Sequence, residues 1–197
     1  MTINPILAEA WKSGKGSGST DQDYFIMYAV AQGIQATRIV EIGTNRGFSA
    51  ITFCQAVVDN KQIPQIWTID NLSLSKVAFG MAKEFWREAG FTQYIKAIIG
   101  DSEKALPALF KEIGKVDLVF IDGSHKPEDV RTDFENAKKF TDYILLHDTG
   151  NGKIQYLQQA KEEGWAVISF PTRYVEGDNH LVGITIAKRG NNENSNS

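Results

Sequence analysis

A regular alternation of short apolar runs with longer amphipathic runs constrains the fold of this chain more than any other feature. The apolar runs cover residues 38–42, 65–70, 94–99, 116–121 and 142–147. Helical periodicity follows each run, at 47–59, 75–89, 102–113, 127–140 and 153–163. Strands that alternate with helices in this way form a parallel sheet with helices on both faces. The predicted fold class is therefore α/β with a doubly wound sheet.

Two further apolar runs, 165–170 and 181–187, have no helix between them. Parallel neighbours need a long crossover connection, so these two runs are expected to form a closing antiparallel pair. We therefore predict a seven-stranded sheet that is mostly parallel, with an antiparallel last strand.

The first strand is followed by a glycine loop. Glu41 lies near the end of this strand, and Gly43 and Gly47 follow it. A dinucleotide fingerprint carries a further glycine, because a pyrophosphate lies against bare backbone at a helix N-terminus. The shorter glycine set favours a ligand with a smaller, zwitterionic end, whose ammonium group would be attracted by a carboxylate such as Glu41.

Polar residues also end the later strands, on the edge where α/β sheets bind ligands. Asp70 ends the second strand, where an acid accepts hydrogen bonds from both hydroxyls of a ribose. Asp101 and Ser102 follow the third strand and are candidates for contact with an adenine edge. Asp122 and Asp148 follow the fourth and fifth strands.

These elements together resemble those of class I S-adenosylmethionine-dependent methyltransferases. The order is Val-Glu-Ile-Gly-Thr-Asn-Arg-Gly-Phe-Ser, Trp-Thr-Ile-Asp, Gly-Asp-Ser, Phe-Ile-Asp-Gly-Ser-His and Leu-Leu-His-Asp. It is most similar to the small O-methyltransferase-like group with Asp-Gly-x-His and His-Asp strand ends. The resemblance implies a Rossmann-like fold, S-adenosylmethionine as cofactor and a small-molecule acceptor. The cofactor contacts expected from it are Glu41, Gly43, Thr44, Asn45, Gly47, Ser49, Asp70, Asn71, Asp101, Ser102 and Asp122.

Two devices for activating an acceptor hydroxyl are present in the sequence. The first is a divalent cation, Mg or another metal, held by Asp122, His147 and Asp148. A histidine ligand suits Mn, Fe or Zn better than Mg. Adjacent strand residues point to opposite faces, so His147 and Asp148 share one ion only if the strand has already ended. The alternative is that Asp122 binds cofactor or caps a helix while His147 packs in the fold.

The second device is a general base. His125 lies three residues after Asp122, and an imidazole that titrates near neutrality can accept the substrate proton. Similar enzymes with Asp-Gly-x-His use this histidine as base, so the predicted catalytic residues are His125 and Asp122. The alternative is a solvent-facing loop histidine.

Composition restricts the partners. The net charge of −3 gives no basic face, so we expect no nucleic-acid substrate. We see no signal pattern and no apolar run long enough for a bilayer, which predicts no membrane contact and a cytoplasmic location. The lone Cys54 is expected to be a buried small hydrophobe. Assembly with a second copy of the chain, as a homo-oligomer, is left open.

We predict three regions along the chain: a flexible N-terminal segment at 1–20, a methyltransferase domain at 21–188 and a disordered tail at 189–197. A glycine- and serine-rich stretch around residues 13–19 is interpreted as a linker or as the hinge of a lid. Two other functions remain as alternatives. One is a methyltransferase-like protein that binds without catalysis, and the other is a different nucleotide-binding enzyme of Rossmann-like fold.

Overall fold

The structure of the chain, a computed structural model, describes residues 4–13, 19–73, 76–124, 126–148, 156–175 and 180–190. The helices are α1 (Pro5–Ser13), α2 (Asp21–Gly33), α3 (Phe48–Asp59), α4 (Lys76–Glu88), α5 (Ser102–Ile113), α6 (Pro127–Ala137) and α7 (Tyr156–Glu162). The strands are β1 (Arg38–Ile42), β2 (Gln65–Asp70), β3 (Ile95–Ile99), β4 (Leu118–Ile121), β5 (Tyr143–His147), β6 (Trp165–Val175) and β7 (His180–Arg189). A single 3₁₀ turn, Thr92–Tyr94, precedes β3.

All seven strands form one sheet in the order β3-β2-β1-β4-β5-β7-β6. The first five strands are parallel, β7 runs antiparallel to β5, and β6 pairs antiparallel with β7. The predicted α/β, doubly wound sheet with its closing antiparallel pair is confirmed. The strand order reverses between β1 and β4, and a ligand crevice is expected at such a switch point.

Each face of the sheet carries its own apolar core. In β4, Leu118 and Phe120 pack into the core that includes residues of α2 and α3. Val119 and Ile121 pack into the opposite core, with residues of α5 and α6. This division follows from the two-residue period of a strand that is buried on both sides. Cys54 is fully buried in the first core, and burial raises the pKa of its thiol, in agreement with the predicted packing role.

The N-terminal end of α2 is closed by a capping box. Asp23 donates its backbone N–H to the Thr20 hydroxyl oxygen at 3.2 Å, and the Thr20 N–H bonds to the Asp23 carboxylate at 2.6 Å. The preceding helix, α1, places Leu7 in the core.

Residues 14–18 of the predicted linker and 191–197 of the predicted tail lie outside the described residues. In the described parts of the chain, no helix has the length and apolar character needed to cross a bilayer.

Candidate functional site

A cavity of about 930 Å³ lies at the carboxyl ends of the parallel strands. Strand-end residues form its floor, and residues from the N-terminal ends of α5 and α6 form its wall. Most of the predicted site residues in the described chain line it: Gly43, Asn45, Asp70, Asn71, Asp101, Ser102, Asp122, His147 and Asp148. The cavity therefore occupies the edge of the sheet that the sequence indicates.

The loop after β1 needs glycine at two places. Gly43 has φ +95°, and a Cβ there would overlap the backbone carbonyl of Asp122. Gly47 has φ +73°, and a Cβ there would overlap the indole of Trp86, whose Nε1 donates to the Gly47 carbonyl at 3.1 Å. Both left-handed conformations favour glycine because it has no Cβ. The loop is therefore in close contact with Asp122, which follows β4, and with Trp86 of helix α4.

The carboxylate of Asp70 holds this loop from the neighbouring strand. Its Oδ2 accepts the backbone N–H groups of Thr44 at 2.9 Å and Asn45 at 3.2 Å. Its Oδ1 accepts the N–H of Leu72 at 2.7 Å. The next side chain, Asn71, donates to Asp101 Oδ1 at 3.0 Å and links the ends of β2 and β3. The rim of the cavity therefore contains four of the predicted cofactor residues, Asn45, Asp70, Asn71 and Asp101, and the Asp70 and Asn71 side chains make the hydrogen bonds that hold it.

The side chains of Glu41 and Thr44, unlike those of the rim residues, are buried and do not line the cavity. Glu41 is fully buried and accepts the Thr68 hydroxyl at 2.6 Å, and the Thr68 and Thr44 hydroxyls are 2.5 Å apart. The described residues that line the cavity do not include Glu41, Thr44, Gly47 or Ser49. Glu41 shares the strand face of Ile39, which packs into the core that includes α3.

Burial also changes the ionisation of Glu41. It raises the pKa of the carboxyl to about 8, with the charges of Asp122 and Asp70 adding to the effect. The hydroxyls of Ser49 and Thr68 oppose it by hydrogen bonding to the carboxyl group. Near neutrality Glu41 therefore carries a proton in most molecules.

The predicted metal ligands Asp122, His147 and Asp148 come together at the ends of β4 and β5. His147 Nδ1 lies 3.1 Å from Asp122 Oδ1 and 3.3 Å from Asp148 Oδ1. Strand β5 ends at His147, and Asp148 has φ +55°, so its side chain turns back toward that of His147. The condition set by the sequence, that the strand end before Asp148, is met. One ligand atom from each residue lies within 4.8 Å of the other two.

His147 is enclosed by carboxylates on both sides of its ring. Its Nε2 lies 3.3 Å from Oδ2 of Asp23, a fully buried residue of α2. Burial favours the neutral imidazole, but the charge of Asp122 and the hydrogen bonds with the three carboxylates outweigh it. The pKa of His147 therefore lies above its ordinary value. The sequence did not single out Asp23, because the only pattern that involves it locally is the Thr20–Asp23 spacing of a helix cap.

Asp133 is a second residue that the sequence did not single out. It lies on α6, is only 2% exposed and lines the cavity. Burial raises the pKa of its carboxyl to about 6, the charges of Asp129 and Glu103 raise it further, and a hydrogen bond with Ser102 opposes the change. No local pattern distinguishes it from the other acids of α6.

The lining is strongly acidic. Its acidic residues are Asp70, Asp101, Glu103, Asp122, Glu128, Asp129, Asp133 and Asp148. Among the described residues of the lining, Lys126 is the single lysine or arginine. Such a wall attracts cations and repels anions. The predicted base, His125, lies outside the described residues.

A family model and one curated protein match the part of the chain that carries this site. A family model described as a methyltransferase domain matches residues 40–149, the stretch that carries all five parallel strand ends. An uncharacterised protein, y4gI, from Sinorhizobium fredii is 30% identical over 124 residues, which cover 59% of this chain. The chain spans only 13% of the length of that curated relative.

Solved structures share the whole architecture. The O-methyltransferase TomG from Streptomyces achromogenes, involved in tomaymycin synthesis and solved with SAM, has a TM-score of 0.69 at 21% identity, covering 96% of this chain and 91% of its own. Cofactor-bound Rv0187 from MTB has a TM-score of 0.73 at 24% identity, covering 95% and 91%. An O-methyltransferase from Bacillus cereus, solved with SAH, has a TM-score of 0.70 at 18% identity, covering 96% and 93%. At these identities the likeness confirms the Rossmann-like fold.

Proposed function

This chain belongs to the family of methyltransferase domains, and on that premise we propose that it transfers the methyl group of S-adenosylmethionine to a hydroxyl oxygen of a small molecule. The observation that carries the proposal is the bonded rim of the cavity. Asp70 holds the Gly43 loop by two backbone N–H groups, and Asn71 links Asp70's strand to Asp101. The rim thus combines a glycine loop with acids at successive strand ends, which suits an amino-acid nucleoside.

Each cofactor group has a proposed location on this rim. The methionine end lies along the Gly43–Asn45 loop, the ribose hydroxyls face Asp70, and the adenine lies by Asp101 and Ser102. Thr44 and Gly47 are part of the loop and shape it, and Glu41 and Ser49 support it through the buried hydrogen bonds that Glu41 accepts. Asn71 orients Asp101 through their hydrogen bond. The excess of carboxylates in the lining compensates the positive sulfonium.

The reaction proposed for this site is an in-line displacement. The acceptor oxygen attacks the methyl carbon while the carbon–sulfur bond breaks, and the sulfonium becomes the neutral thioether of S-adenosylhomocysteine. The acceptor proton passes to a base, for which His125 stays the prediction. The protein contributes chiefly by holding donor and acceptor in line and by favouring the deprotonated oxygen.

The cluster of Asp122, His147 and Asp148 fits a divalent cation. Its three ligand atoms lie within 4.8 Å of one another, and the side chains of Asp122 and Asp148 each keep 23% of their surface exposed. The mixed nitrogen and oxygen donors suit Mn, Fe or Zn better than Mg. When bound, such a cation would lower the pKa of the acceptor hydroxyl. Asp122 and Asp148 would hold it, and His147 would complete the set through Nδ1.

The acceptor class follows from size and charge. A cavity of about 930 Å³ accommodates the cofactor and one small molecule. The acidic wall favours a neutral or cationic acceptor, such as a phenol, over one that carries phosphate groups. A cytoplasmic location, the lack of a nucleic-acid partner and assembly with a second copy of the chain stay predictions.

Calorimetry with S-adenosylhomocysteine, with and without Mn²⁺ or Mg²⁺, tests the cofactor pocket and the cation site together. Transfer of a labelled methyl group to a panel of phenols, sugars and carboxylates then tests turnover. We expect S-adenosylhomocysteine to bind and the labelled methyl group to be transferred to at least one hydroxyl. Binding without transfer to any acceptor indicates a non-catalytic binding protein. Binding of NAD in place of S-adenosylmethionine overturns the proposal.

A further inference from the structure

Asp23 lies inside the protein although a capping residue is usually at the surface. It is the third residue of α2, and none of its surface is exposed. A capping box needs only the bonds between this side chain and the start of the helix. Burial of a carboxylate is costly unless polar partners surround it. The location of Asp23 therefore calls for partners beyond the cap.

Those partners come from two other elements. Asp23 Oδ1 accepts the hydroxyl of Thr172 in β6 at 2.7 Å. Its Oδ2 accepts the N–H and the hydroxyl of Thr20 at 2.6 and 2.9 Å, and it also lies 3.3 Å from His147 Nε2. One buried carboxylate thus joins the start of α2, the strand β6 and the end of β5.

The contact with His147 determines which ring nitrogen faces the cavity. An ionised carboxylate has acceptors and no donor, so a hydrogen bond with it requires a proton on Nε2. The imidazole is then held with Nε2 toward α2 and Nδ1 toward Asp122 and Asp148. Its side chain is only 3% exposed, so neighbouring groups, and not solvent, set its orientation.

We infer that Asp23 is a positioning residue for His147, which keeps the proton on Nε2 and presents Nδ1 to the two cavity carboxylates. The inference goes beyond the proposed function, because it concerns the orientation of the imidazole whether or not a cation binds. For a histidine that ligates a metal, a carboxylate on the other ring nitrogen fixes the ring in the same way. Asp23 acts from α2, so the start of this helix becomes part of the site.

Nuclear magnetic resonance of the full chain with ¹⁵N-labelled histidine tests the inference directly. The chain has three histidines, so the spectrum contains three ring systems, and the His147→Asn variant assigns one of them. We expect the wild-type His147 to carry a proton on Nε2 that exchanges slowly with water. A bare Nε2 with the proton only on Nδ1 overturns the inference without any change at Asp23.

Asp23→Asn removes the charged acceptor while keeping the size of the side chain. We expect the Nε2 proton of His147 to exchange roughly tenfold faster and the Kd for Mn²⁺ to rise roughly tenfold. Thr20→Ala and Thr172→Val each remove one other partner of Asp23 but keep its carboxylate beside His147. These controls should leave the His147 resonances close to those of the wild type. An unchanged Asp23→Asn spectrum, or the same change in both controls, assigns Asp23 a purely structural role.

The two proposals fail separately in these measurements. If the chain binds S-adenosylhomocysteine and no methyl transfer occurs, the proposed activity is wrong. The protonation of His147 Nε2 still tests the role of Asp23 in that case. If Mn²⁺ does not bind, the resonance measurements alone decide the inference. If Asp23→Asn does not fold, the wild-type spectrum decides it.

Discussion

The Asp70 carboxylate accepts the backbone N–H of Thr44 at 2.9 Å, so the end of β2 holds the loop that follows β1. A single acid therefore has two tasks at this edge of the sheet. It shapes the glycine loop from inside the protein, and it is the acid proposed to face the ribose hydroxyls. The structure offers a close counterpart for comparison. Asp117, at the opposite ends of the strands, accepts the N–H groups of Thr37 and Arg38 at 2.8 and 2.9 Å.

Asp70→Asn should weaken binding of S-adenosylhomocysteine by roughly one hundredfold, because it removes a charged acceptor from both the loop and the ribose. Asp117→Asn removes a similar pair of backbone bonds on the far side of the sheet and should leave the affinity within about twofold. Calorimetry on both variants, with circular dichroism to check folding, makes the comparison. Equal losses in the two variants would show that Asp70 acts only through general stability.

Glu41→Gln should change how stability depends on pH. The folded pKa of Glu41, about 8, lies above its ordinary value of 4.5. Folding therefore favours the protonated acid, and the stability of the wild type falls as pH rises through the window between these two values. Glutamine does not ionise, so its advantage over the wild type should grow from pH 5 to pH 9 by on the order of a few kcal/mol. Urea denaturation at both pH values measures it, and a constant difference between the proteins contradicts the buried, protonated state.

Gly43→Ala should destabilise the protein by about 3 kcal/mol or more. Its φ of +95° disfavours a side chain, and the added Cβ would overlap the Asp122 carbonyl. Gly33→Ala is a matched control, because a Cβ at Gly33, the last residue of α2, would have no heavy atom within 4 Å. The control should change the free energy of unfolding by no more than about 0.5 kcal/mol. Thermal or urea denaturation of both variants decides the matter.

Acceptors that carry phosphate groups should be poor substrates. The acidic lining, with Lys126 as its one described lysine or arginine, repels them by long-range electrostatics. For a phenol and its phosphate-bearing analogue, we expect kcat/KM to differ by roughly tenfold or more at low salt, and the gap to narrow as ionic strength rises. A preference for the anionic analogue, or a gap independent of salt, contradicts the proposed acceptor class.

Much of the fold was predictable because its signals are local. A strand that is buried on both faces is a short apolar run, and a crossover helix has its own period, so residues 38–147 predict the parallel sheet without knowledge of any contact. The location of the site follows from the same pattern, because the carboxyl ends of parallel strands meet at one edge. Gly43 and Asp70 could therefore be assigned to the cavity in advance.

Other parts of the site depended on contacts that the sequence does not encode locally. Glu41 lies near a strand end, as predicted, but it is fully buried and does not line the cavity. Asp133 differs from the other acids of α6 only through burial between helices. His147 and Asp148 face one another because the backbone at Asp148 adopts φ +55°.

The sequence by itself determined the order of strands and helices along the chain and the order in which polar residues follow the strand ends. Tertiary structure alone decided that Asp23 reaches His147, because 124 residues separate them and no periodicity connects the start of α2 with the end of β5. Local patterns specify backbone conformation, which is set by neighbours in the chain. The partners of a buried charge are set by how separate elements pack, and they become visible only in three dimensions.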